Sequence, residues 1–315
     1  MKYLRCGMFV LMVFLAANLV TGTQAASGLA QNAVVGTLAE LPAATGGVAV
    51  DQDGNIYVGD IGLAPARRGT TVYKVTTDGE VSVFAQAETM LGASGNAFDS
   101  QGNLYQSGLR SNRINKITPD GEVSVFATQG IIAPVGLVFD NEDNLYVANC
   151  GGRTVQMVTP DGQSTLFASS NTLFNCPNGI ALDNDNNIYV ANFGDGRVLK
   201  VTPDGTVSEF VTVPGNNNGH ITFDGEKFYV VARGAGNIYT LTVDGELELL
   251  AGSTRRGRVD GPALEAQFSL PNDLGISPDG NTLYVNEVAA LTGTANQPSV
   301  LRTIVLNPES AEGEE

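Results

Sequence analysis

The sequence holds a single histidine, His220. Imidazole is the side chain whose ordinary pKa lies nearest neutrality, so His220 is the first candidate for a group that moves a proton. The structural alternative is a polar cap on a strand that lines a tunnel. Arg233 supplies a fixed cation able to orient an anionic or carbonyl group. Asn178, Asn272, Asp273 and Glu287 are polar groups able to engage a ligand through oxygen. Their structural alternatives are turns at the Asn-Gly and Asn-Asp pairs, and an ion pair between Arg233 and Glu287. Cys150 and Cys176 form an even pair after the leader described below, which suggests one disulfide in an oxidising compartment. Other chemistries find no support. The chain has no Gly-x-Ser-x-Gly elbow, Gly-x-Gly-x-x-Gly loop, phosphate loop or paired-cysteine zinc motif. The Asp-x-Asp-x-Asn runs at 51–55 and 183–187 lack the glycine and the closing glutamate of a calcium loop, so they read as hairpin turns.

Six copies of one motif frame these residues. It runs Asp51–Tyr57 (DQDGNIY), Asp99–Tyr105 (DSQGNLY), Asp140–Tyr146 (DNEDNLY) and Asp183–Tyr189 (DNDNNIY). Asp224–Tyr229 (DGEKFY) is a residue shorter, and Ser277–Tyr284 (SPDGNTLY) is degenerate. A second motif keeps phase with the first: Val72–Gly79 (VYKVTTDG), Ile114–Gly121 (INKITPDG), Val155–Gly162 (VQMVTPDG), Val198–Gly205 (VLKVTPDG) and Ile238–Gly245 (IYTLTVDG). Val300–Val305 (VLRTIV) is its weak sixth copy. Each repeat divides into four short strands between turn residues, as at Gly179–Leu182, Asn187–Ala191, Arg197–Thr202 and Thr206–Val211. Four-stranded antiparallel units at a period of about 42 residues predict an all-β, six-bladed β-propeller. The sixth unit lacks an outer strand. Residues 33–39 (AVVGTLA) resemble that strand, so the N-terminal strand is expected to close the last blade, the one containing Tyr284.

The ends and the charge bound the setting. Lys2 and Arg5 precede an apolar run from Met8 to Ala17, and Thr23-Gln24-Ala25 offers a small–x–small cleavage site. Residues 1–25 are expected to be a signal peptide, 26–308 the propeller and 309–315 an acidic disordered tail. The apolar run is short for a membrane span and no later segment is apolar enough, so a secreted or periplasmic protein is expected. Lys and Arg number 17 against 33 Asp and Glu, for a net charge of −16. Nucleic acid and anionic lipid both call for a basic footprint, so neither is an expected partner.

Propeller geometry gathers the candidates. The innermost strand of each blade lines the axis and the next runs back beside it. The start of the first and the end of the second therefore share one face. The residues ahead of the innermost strands are Gly46-Gly47, Ser94-Gly95, Val135-Gly136, Asn178-Gly179, Gly219-His220 and Asn272-Asp273. The second strands end at Asp60, Gly108, Asn149, Asn192, Ala232 and Glu287. A ring of identical repeats has no reason to hold an asymmetric molecule, so departures from the repeat mark a site. His220 and Asp273 each replace a glycine, Arg233 follows Ala232, and Glu287 replaces Asp or Asn. A site is expected at this mouth, off-centre toward blades four to six, with Asn178 and Asn192 on its wall.

The segment Leu250–Asn272 (LAGSTRRGRVDGPALEAQFSLPN) resembles NHL repeats. Pro177–Asp183 (PNGIALD) and Pro271–Gly280 (PNDLGISPDG) are similar to the senescence-marker-protein and gluconolactonase family, and streptogramin lyases share this repeat grammar. The resemblance covers nearly the whole chain after the leader. It implies one divalent cation at the mouth, Ca2+ or Mg2+, with Asn178 and Asn272 at ligand-bearing positions and Asp273 and Glu287 as further hard oxygen ligands. The chain departs from the gluconolactonase pattern where Thr45-Gly46-Gly47 replaces Glu-Gly-Pro, and Asp273 sits one position late. The streptogramin lyases imply a histidine and a magnesium at the mouth. The implied function is a hydrolase or lyase acting on a small-molecule lactone or other cyclic ester, with His220 moving the proton. The alternatives are a non-enzymatic NHL-type module that binds protein or glycan, and an accessory protein of an extracytoplasmic biosynthetic pathway.

Overall fold

The computed structural model describes residues 28–42, 44–62, 68–288 and 299–308. The expected signal peptide and acidic tail lie outside the described residues. Among the described residues no helix is long and apolar enough to cross a membrane.

The first motif makes a hairpin turn because its aspartate binds its own loop. Asp51 Oδ1 accepts from the N–H groups of Asp53 (3.0 Å) and Asn55 (2.8 Å). The turn needs a left-handed residue, which is Gly54 (φ 83°) in the first repeat and Asp143 (φ 59°) and Asn186 (φ 61°) in the third and fourth. The motif's tyrosine then packs between blades. Tyr57 meets Phe84 and Phe98 edge-on at 4.8 and 5.2 Å, and Lys74 from the neighbouring strand lies over its ring at 5.4 Å.

Six antiparallel sheets result. Their innermost strands are Val48–Val50, Ala93–Phe98, Pro134–Phe139, Pro177–Leu182, Ile221–Phe223 and Leu270–Ile276. In blade four the remaining strands are Ile188–Asn192, Arg197–Val201 and Val207–Thr212, each within a residue or two of the sequence reading. The six-bladed fold and its closure are as expected. Val34–Leu41 pairs antiparallel with Ser299–Val305 and supplies the outer strand of the blade containing Tyr284. A short strand, Gly261–Pro262, adds to the far side of Val34–Leu41. The apolar core lies between blades. One cluster joins Ala148, Val155 and Phe174 to Val190, Leu199 and Val201. Cys150 and Cys176 are disulfide-bonded across the junction of blades three and four.

One register differs from the sequence alignment. The weak sixth copy, VLRTIV, sets Arg302 level with Lys200, opposite the motif tyrosine. In the sheet Tyr284 faces Thr303, and Arg302 faces Val285. A one-residue shift in a strand turns every side chain to the other face. Arg302 is therefore buried between blades five and six, over the Phe268 ring at 4.9 Å.

Candidate functional site

The mouth of the propeller is built from backbone packed against backbone. A Cβ on Gly47 would stand 2.4 Å from Asn96 N, and on Gly95 2.2 Å from Val135 O. On Gly136 it would stand 2.4 Å from Asn178 O, and on Gly179 2.5 Å from His220 Cα. The close approach of the next blade thus requires glycine in blades one to four. Blades five and six place His220 and Asp273 at the equivalent positions. The next blade still makes backbone contact, since His220 N–H donates to Asn272 O at 2.9 Å. The two side chains enter an axial channel of about 330 Å³, lined by all six innermost strands. Its polar side chains are Asn96, His220, Thr222 and Asp273, and the other lining residues have apolar side chains or none.

His220 and Asp273 touch. Nδ1 lies 3.1 Å from Oδ2, and each residue is 5% exposed. Asp273 also accepts from the N–H groups of Val48 (2.9 Å) and Leu274 (2.7 Å). The remaining ring nitrogen, Nε2 of His220, is buried without a hydrogen-bond partner, as is Oδ1 of Asn96. Burial disfavours the charged form of both members of the pair. It pushes Asp273 up to about 8, against the pull of its two backbone donors. It holds His220 down at about 3, with the nearby charge of Arg233 adding to the effect.

Arg233 borders the pair. Its Nη1 donates to Leu270 O (3.2 Å), Pro271 O (3.3 Å) and Asn272 Oδ1 (3.2 Å). Asn272 in turn donates from Nδ2 to Thr45 O (2.6 Å) and Gly46 O (3.3 Å), which ties blade six to blade one.

The other expected residues do not join the group. Asn178 points its amide at Asn218 O and Gly219 O and does not line the channel. Asn192, expected on the wall, turns away and donates to Leu173 O at 2.8 Å. Glu287 is fully buried on the other face of its strand. It accepts from Arg302 at 2.7 Å and from Ser269 N–H at 2.6 Å, and it makes no pair with Arg233. Neighbouring residues of a strand point to opposite faces, and Asn286 takes the mouth side instead. Asn286 accepts from Asp273 N–H at 3.0 Å and donates to Gly46 O at 2.8 Å, so it positions Asp273.

Two of the four residues expected to hold a cation, Asn272 and Glu287, therefore do not fit one. Oδ1 of Asn272 already faces a guanidinium, and Glu287 is neutralised by another. A second cation would meet a fixed positive charge at both places. Among the described residues no cluster of three or more His, Cys, Asp and Glu gathers as a metal cage.

Two residues escaped the sequence reading. Asn96 stands where the other repeats carry Val48, Leu137, Ile180, Ile221 and Leu274. Asn286 stands where they carry Gly59, Ser107, Ala148, Ala191 and Val231. The signal was the one that singled out His220, a departure from the repeat.

The profile of the virginiamycin B lyase family matches residues 43–293, most of the chain. The chain belongs to that family. No curated protein matches the sequence. Among solved structures, a streptogramin B lyase superposes with a TM-score of 0.61 at 16% identity, over 89% of this chain and 100% of that one. A catalytically inactive histidine-to-alanine virginiamycin B lyase from Staphylococcus aureus, solved with quinupristin, gives 0.59 at 14% identity, over 87% and 99%. A gluconolactonase from Xanthomonas campestris gives 0.66 at 16% identity, over 89% and 93%. At these identities the likeness to each structure is one of fold.

Proposed function

We propose that the protein opens a small cyclic ester by acid–base catalysis at the His220–Asp273 pair. The observation that carries this is the pair itself. The two side chains that replace mouth glycines are in hydrogen-bond contact, His220 lines an axial channel, and its Nε2 is a buried nitrogen without a partner. Family membership supports the reading. So does the S. aureus virginiamycin B lyase, in which a histidine-to-alanine form is catalytically inactive; His220 is the only histidine this chain has.

The pair has two working forms. Below about pH 8 Asp273 keeps its proton and shares it with Nδ1, so Nε2 carries the ring's N–H and donates. Above that value the carboxylate accepts from Nδ1–H, and Nε2 carries the ring's lone pair. In that form it is a general base. In a hydrolysis, Nε2 takes a proton from water as the water oxygen bonds to the carbonyl carbon. The ring C–O bond breaks, and the alkoxide takes the proton back. In an elimination, Nε2 takes the proton from the carbon next to the one bearing the ester oxygen. A C=C bond forms and the carboxylate leaves. Asn96 Oδ1 on blade two is a second buried acceptor without a partner.

Incubation with small lactones and cyclic depsipeptides, followed by product mass, tests the reading. Hydrolysis adds one water and elimination adds nothing. Intact rings across both classes would count against it. The setting proposed is extracytoplasmic, from the leader-like residues 1–25. The exported protein should begin at Ala26 on N-terminal sequencing, and a retained Met1 would refute export by cleavage.

A further inference from the structure

Arg233 departs from its repeat as sharply as His220 does. The residue after the second strand is Ile61, Leu109, Cys150, Phe193 and Val288 in the other five blades. Only blade five puts a charge there. Arg233 is 9% exposed, and among the described residues no carboxylate lies within 4.0 Å of it. Its recorded hydrogen bonds all leave from Nη1 and all end on neutral acceptors. Nη2 and Nε, the edge that grips carboxylates, remain available. A desolvated cation without a counter-charge is costly unless something supplies that charge.

A second cation compounds the cost. Arg256 is exposed on the loop between blades five and six. Its guanidinium donates to the carbonyl of Gly234, the residue beside Arg233. Together with burial, its charge holds Arg233 down at about 10. Two arginines side by side in a protein of net charge −16 run against the general charge of the molecule. Arg233 reaches Asn272, the residue before Asp273, and Arg256 is held beside Arg233 through Gly234.

We infer that Arg233 and Arg256 form an anion subsite beside the His220–Asp273 pair, and that the ligand of this mouth carries an anionic oxygen group, a carboxylate or phosphate, seated between them. As a statement about substrate it rests on the ring-opening proposal. As a statement about binding it stands without it.

The lone histidine makes the test simple, because the imidazole nitrogens give one set of NMR signals. Benzoate, phenyl phosphate and the neutral control benzamide are titrated into the full chain while the His220 Nε2 resonance is followed. A saturable shift with either anion and none with benzamide is the expected result, and the preferred anion identifies the source of the charge. Arg233→Gln should weaken the anion at least about tenfold, the scale of one charge-assisted bond, and Arg256→Gln several-fold. If Arg233→Gln does not fold, the exposed Arg256→Gln carries the test alone. Equal response to benzoate and benzamide, or unchanged binding in Arg256→Gln, overturns the subsite. The readout needs no turnover. Anion binding that survives while His220→Ala keeps full activity would retain the subsite and remove the acid–base reading. Loss of activity in His220→Ala without anion binding would do the reverse.

Discussion

Asp273 decides how His220 behaves with pH. Its folded value of about 8 lies above the ordinary 3.8, so the folded state keeps a proton that the unfolded chain releases. The stability this gives is full below 3.8 and is lost as pH rises through about 8. His220 runs the other way. Its folded value of about 3 lies below 6.5, so the stability is full above 6.5 and is lost as pH falls toward 3. Asp273→Asn removes the alkaline loss while keeping the side chain's shape. The wild-type melting temperature should fall between roughly pH 6 and pH 9, and the variant's should fall less. Any ring-opening rate should rise through about pH 8 in the wild type, and Asp273→Asn should abolish that rise. A wild-type melting curve flat across the interval would show that Asp273 is ionised throughout. His220 and Asp273 were legible in the sequence because side chains replaced glycines in a counted repeat. Asn96 and Asn286 obeyed the same rule and were passed over, since an amide in place of an aliphatic residue is a quieter change than a charge in place of glycine.

At the scale of the strand, Glu287 shows what repeat counting leaves undecided. Its place at the end of a second strand was read correctly, but its face was not. A strand shows two faces, and sequence position alone does not say which one meets a partner. The partner was hidden as well. Arg302 was aligned with lysines that lie over tyrosine rings, and the shifted register of the last strand sends it inward to Glu287. Both side chains are fully buried, and Arg302 also binds Val259 O and Asp260 of the loop that meets the N-terminal strand. Glu287→Ala leaves the buried Arg302 guanidinium with Asp260 as its one remaining carboxylate partner and should cost about 1–3 kcal/mol in denaturant unfolding. Activity per folded molecule should not change. Unaltered stability with lost activity would instead return Glu287 to the site. The closing strand Val34–Leu41 was readable because the sixth repeat visibly lacked a partner for its last strand, and an apolar alternation near the N-terminus matched it.

The whole molecule is a nearly symmetric ring with an asymmetric mouth. The ring was plain from the sequence, because two motifs kept phase through six repeats. Its membership of the virginiamycin B lyase family agrees with that ring. What the sequence left open was which departures meet across blade boundaries. His220 and Asp273 lie 53 residues apart, and the stacking of blade five on blade six brings them to 3.1 Å. Glu287 is held by Arg302 instead of Arg233, and Asn178 and Asn192 spend their amides on backbone carbonyls of neighbouring segments. Solved neighbours at 14% and 16% identity share the frame and leave the chemistry to these few side chains. Under the proposed function, the imidazole of His220 moves the proton. The most direct test compares wild type with His220→Ala on a cyclic ester that the wild type opens, with melting temperatures measured on the same samples. The variant should lose about 10²–10⁴-fold in kcat, the usual worth of a positioned acid–base group, and still melt as a folded propeller. A folded His220→Ala protein that opens the ring at the wild-type rate would contradict it.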